Sequence, residues 1–106
     1  MDPIIINAVI VQRDGMWVAQ CLEYNFVSCA GTKDDLPRAL LQQVVAQIQI
    51  DVADGHEPFF EFQPAPAKYW DMYEKARLQS EPIRKTCSLP ERKSVETQLY
   101  PLADAA

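Results

Sequence analysis

Asp14-Gly15 divides two apolar runs, and this pair constrains the chain more than any other feature of the sequence. Ile4-Ile5-Ile6-Asn7-Ala8-Val9-Ile10-Val11-Gln12 precedes it, and Met16-Trp17-Val18-Ala19-Gln20-Cys21-Leu22 follows it. β-Branched residues favour extended backbone, and Gly accepts the positive φ that a two-residue hairpin needs. The pattern predicts an antiparallel hairpin with strands over 4–12 and 16–22. The first strand is apolar at nearly every position, so both of its faces are expected to be covered.

Glu23-Tyr24-Asn25 reads as a turn, Phe26–Ala30 as a short third strand, and Gly31 as its end. A helix is expected over 35–53, with its N-cap at Asp34 or Asp35, because Pro37 fits only the first turn. Leu36, Leu40, Val44, Ile48 and Val52 recur four apart, with Leu41 and Val45 widening the stripe. That spacing gives one apolar helical face. Asp54-Gly55 supplies the stop. Glu57–Phe62 alternates in part and reads as a candidate fourth strand. Pro64-Ala65-Pro66-Ala67 is a stiff extended connector, and a second helix is expected over 67–79, stopped by Pro82. Residues 80–106 are polar and show no convincing period. Ile83–Leu89 is a candidate edge strand, Leu99–Leu102 a candidate docking segment, and the rest reads as a tail. The expected fold is therefore α+β: a small antiparallel sheet in β-β-β-α order, a helix on one face, and a second helix towards the C-terminus. Residues 1–62 form the expected domain, and 63–106 are not independent of it.

The chain has 106 residues, of which 48 % are hydrophobic, enough for one core and too many for wholesale disorder. Its formal net charge is −5, and the acidity lies in front. Residues 1–59 hold three basic side chains against eight acidic ones, whereas 60–106 hold seven of each. An acidic front half repels phosphate and favours a basic protein partner through faster encounter. The three cysteines, Cys21, Cys29 and Cys87, are odd in number and lack C-x-x-C spacing, which fits neither a disulfide framework nor a zinc site. No basic n-region with a long apolar run opens the chain, and no stretch reaches the roughly 20 apolar residues of a membrane span. A cytoplasmic setting is the expectation.

The hairpin Gly15-Met16-Trp17-Val18-Ala19-Gln20-Cys21, the strand ending Ala30-Gly31-Thr32, and the helix opening Asp35-Leu36-Pro37-Arg38-Ala39-Leu40 together resemble the HicB-like antitoxin family. The resemblance covers about residues 4–55. It implies a partial RNase H fold, in which a helix lies across a three-stranded antiparallel sheet. It also implies a protein that silences a small basic RNA-cleaving toxin of the HicA type, commonly as a dimer or tetramer. Many members carry a C-terminal DNA-binding module. Residues 80–106 here show no second amphipathic helix and no basic stripe, so nucleic-acid binding is not expected.

Catalytic chemistry is not expected either. An RNase H site needs carboxylates converging on metal ions, and the strands predicted over 4–12 and 16–22 contain no Asp or Glu. His56 is the only histidine, and its place after a helix C-terminus suits a surface or capping role. No cofactor or metal is expected. Trp17, Tyr24, Phe26, Tyr69, Trp70 and Tyr73 read first as core and helix-docking residues and second as interface anchors. Lys68, Lys75 and Arg77 surround the second helix, but Asp71 and Glu74 interrupt them. The candidate partner-binding residues are Glu23, Tyr24, Asp34, Asp35, Asp51 and Trp70. The partners expected are a second copy, on the strength of the uninterrupted apolar first strand, and a small basic protein. The alternative is a self-associating regulatory domain without a toxin.

Overall fold

Asp14 and Gly15 both take positive φ, 50° and 79°, and Arg13 stands opposite Met16 in the register. Two positive φ values are what a two-residue hairpin of matching twist requires. The turn joins β1 (Ile4–Arg13) to β2 (Met16–Cys21). In the computed structural model, residues 3–89 and 93–102 are described. After β2 come β3 (Val27–Ala30), α1 (Leu36–Ala53), α2 (Ala67–Gln79), β4 (Ile83–Ser88) and β5 (Ser94–Pro101). The strands form one sheet in the order β3-β2-β1-β5-β4. The protein is α+β, with five strands rather than three or four.

The sheet is mixed, not antiparallel throughout. β5 runs parallel to β1, with Ile4 opposite Val95 and Ile10 opposite Pro101. The polar segment after residue 80 is thus a hairpin completing the sheet. Val95, Thr97 and Leu99 alternate inward and are fully buried. Ile83–Ser88 is indeed an edge strand.

β1 is the central strand, which explains its composition. Ile6, Ala8 and Ile10 face α1 with Ala19, Cys21, Val95 and Leu99. Val9 and Val11 face the other way with Val18, beneath Met72 and Tyr73 of α2 and Leu102. Each such aliphatic side chain contributes about 1.5–3 kcal/mol on full burial. The apolar run that pointed to a second copy is therefore satisfied within one chain.

α1 begins one residue later than expected. Asp35 is its N-cap residue but makes no side-chain cap. Instead Thr32 Oγ1 accepts the Asp35 N–H at 3.2 Å and donates to the Asp35 carboxylate at 2.8 Å. Leu36, Leu40, Val44 and Ile48 are buried, but Val52 is 44 % exposed. A helix repeats every 3.6 residues, so steps of four drift by roughly 40° each, and Val52 ends up roughly 160° from Leu36. Asp51, three residues after Ile48, takes the inward position instead.

No strand forms over 57–62. Phe59 has φ 62°, and the Phe62 N–H donates back to the Phe59 carbonyl at 3.0 Å, closing a turn. A strand cannot accommodate left-handed backbone, and the aromatic alternation instead buries Phe59 in the core. Gln63 and Ala65 then bond to Asn25 and Leu22, so the proline-rich connector passes the end of β2 from the α1 face to the α2 face.

Candidate functional site

The six candidate partner-binding residues divide into structural groups and free ones. Glu23 accepts from Asn7 twice, from the backbone N–H at 2.8 Å and from Nδ2 at 2.7 Å, tying the β2–β3 turn to the central strand. Tyr24 stacks on Phe59 with ring centroids 4.4 Å apart. Asp51 is buried, accepting the Phe59 N–H at 2.7 Å and a Gln47 side-chain N–H at 3.0 Å. Trp70 donates its indole N–H to the Ala65 carbonyl at 3.1 Å, and the Ala65 N–H donates to Leu22. These four residues pin the loops around the connector. The polar side-chain atoms of Glu23, Asp51 and Trp70 are engaged within the chain.

Asp34 and Asp35 are exposed at the other end of α1. Asp35 stands 3.7 Å from Arg38, a solvent-exposed pair of little energetic weight. Asp35 and Asp51 stand 16 residues apart along α1, roughly 24 Å at 1.5 Å per residue. The six candidates therefore do not form one site.

The C-terminal corner of α1 has a different surface, which the sequence reading did not single out. Ile50, Val52 and Phe60 are 56 %, 44 % and 48 % exposed. His56 stacks on Phe60 at 3.9 Å between ring centroids. Asp54, Glu57 and Glu61 are exposed on the same stretch, which contains no Lys or Arg. Ile50 and Val52 project roughly 200° apart around α1, so the segment exposes large apolar side chains on more than one face among charges of one sign, chemistry available to an interaction. The available signal was the failure of the four-residue repeat at Val52.

Cys21 is fully buried, and burial, reinforced by the charge of Glu23, pushes its thiol far above the ordinary range. It is a protonated core residue, not a nucleophile. The basic residues near the aromatic helix lie over rings: Lys68 and Arg13 over Tyr69 at 5.0 and 5.8 Å, and Arg77 over Tyr73 at 6.0 Å. Arg13 donates to the Tyr69 hydroxyl at 2.9 Å, a bond that holds this phenol below its usual range. Among the described residues, no three His, Cys, Asp or Glu side chains gather as a metal-ligating group, and no helix is long and apolar enough to cross a membrane.

Comparison of the chain with protein-family models, with curated proteins and with solved structures gave no match. Fold and surface chemistry alone define its class: an α+β protein with a mixed five-stranded sheet and an acidic, apolar corner.

Proposed function

We propose that this chain is a non-catalytic, HicB-like binding module of the cytoplasm that captures a small basic protein, as an antitoxin captures an RNA-cleaving toxin. The observation that carries the reading is the segment 50–61, where Ile50, Val52 and Phe60 stand exposed and the exposed charged residues, Asp54, Glu57 and Glu61, are all acidic. Apolar side chains supply the area to be buried, and acidic residues steer a basic partner into register. The β-β-β-α unit over 4–53 adds support through its resemblance to antitoxin domains.

The test is co-expression with the short basic reading frame beside its gene. The full chain should co-purify with that product and relieve its growth arrest. The triple variant Asp54→Lys, Glu57→Lys, Glu61→Lys should stay folded and lose both effects. A wild-type chain that ignores the basic protein, or a triple variant that still captures it, refutes the reading. Self-association without such capture is the outcome expected of a stand-alone regulatory domain.

A further inference from the structure

Among the described residues, β4 is the last strand on its side of the sheet, with β5 on one flank and no strand on the other. The backbone groups on that flank are a template for one more strand. Beside it lies an open groove of about 260 Å³, lined by Leu41, Gln42, Val45, Ala46 and Gln49 of α1 and by Cys87 of β4. Leu41, Val45 and Cys87 are half-buried, so the groove floor is apolar and reachable.

Within β4 the charge has one sign, while β5 places Glu96 opposite Thr86. β4 reads Ile83-Arg84-Lys85-Thr86-Cys87-Ser88, and Lys93 precedes β5 in the same hairpin. Arg84 and Lys85 are exposed and form no ion pair among the described residues. Basic side chains on an edge discourage pairing with a second identical edge, since like charges across a strand pair repel. The same charges suit an acidic strand. Alternation places Lys85 and Cys87 on the α1 side and Arg84 on the opposite side. An added strand would thus set alternate side chains into the groove, on the side of Lys85 and Cys87, and the others on the side of Arg84.

We propose that the β4 edge accepts an extended peptide segment of a partner protein, alternating apolar and acidic residues, by strand addition. Its apolar side chains enter the groove between α1 and β4, and its carboxylates lie on the opposite face beside Arg84, with exposed Lys85 adding positive charge along the edge. This mode takes affinity from main-chain hydrogen bonds and specificity from alternate side chains. It does not depend on the basic partner proposed for the acidic corner.

The probe is a fluorescein-labelled, end-blocked octapeptide of alternating valine and glutamate, with a valine–lysine peptide as its counterpart. Anisotropy with the full chain should show binding of the glutamate peptide only, weakened by salt. The double variant Arg84→Glu, Lys85→Glu should lower its affinity at least tenfold and leave circular dichroism unchanged. In the Cys29→Ser background, saturating glutamate peptide should slow alkylation of Cys87 at least fivefold, placing the peptide on this edge. Equal binding of both peptides, no binding of either at millimolar concentration, or unchanged Cys87 alkylation overturns the proposal. So does a wild-type dimer that the double variant abolishes, because the edge would then belong to a second copy.

Discussion

Replacing Asp51 with Ala should unfold the corner from inside. Asp51 is 4 % exposed, and its carboxylate accepts the N–H of Phe59, a residue held at φ 62°. A hydrogen bond to a charged acceptor contributes about 1.5–3 kcal/mol, and a buried donor left unmade costs a similar amount. The left-handed backbone at Phe59 stores about 1–2 kcal/mol that this bond helps to hold. Gln47 is half-exposed and can turn to water, so its lost bond adds little. The expected loss is about 2–4 kcal/mol. With a urea slope of about 1.5 kcal/mol per molar, the midpoint should fall by about 1.3–2.7 M. Asp51→Asn keeps one acceptor towards Phe59 and should cost about 1 kcal/mol. Urea melts followed by tryptophan fluorescence measure both. A change below about 0.5 kcal/mol in Asp51→Ala would refute the account. Lost partner binding at unchanged stability would return Asp51 to the contact surface.

Leu99→Ala should cost about 2–5 kcal/mol, because a fully buried leucine of β5 leaves a cavity against β1; a melt like the wild type's would mean that β5 does not belong to the sheet. Stability should also fall on the alkaline side. The buried Cys21 thiol stays protonated in the folded chain, while the unfolded thiol ionises near its ordinary value of 9.0. The folded state therefore holds the extra proton, and stability present below pH 9.0 is lost above it, by up to about 1.4 kcal/mol per pH unit. Tyr100, raised mainly by burial, acts in the same sense but is common to both proteins when Cys21→Ala is compared with the wild type. Denaturation midpoints measured across this range should fall less steeply in Cys21→Ala; equal slopes would count against the buried thiol.

Where local chemistry decides structure, the sequence was legible. Asp14-Gly15 determines its hairpin by φ alone, Pro37 and the apolar stripe locate α1, and α2 runs over Ala67–Gln79 as expected. Where distant partners decide, it was not. β5 pairs with a strand some 90 residues earlier, and Thr97 occupies a buried position that hydrophobic periodicity assigns to an aliphatic residue. Glu57–Phe62 shows the converse failure. Its alternation of aromatic residues fits a strand, but Asp51 fixes Phe59 in a turn from eight residues away. The charges were read correctly in number and misread in place. The even balance over 60–106 concealed a basic edge strand, because Arg84 and Lys85 fall on β4 while Glu96 falls on β5.

The sheet order turns this sequential charge pattern into a spatial one. Insertion of β5 beside β1 sends β4 to the edge opposite β3. β3 leads directly into exposed Asp34 and Asp35, while β4 carries exposed Arg84 and Lys85. Four inter-strand steps separate these edges, roughly 19 Å at 4.8 Å per step. The β4 edge therefore repels its own copy, whereas β3, Val27-Ser28-Cys29-Ala30, carries no charge. Pairing of β3 with β4 of another molecule would meet no charge repulsion, but it would propagate without closing. The four-residue length of β3 limits that reaction, since a short edge offers few ladder bonds. The longer β4 edge, with the apolar groove beside it, is thus the side of the sheet best suited to an acidic strand from another protein.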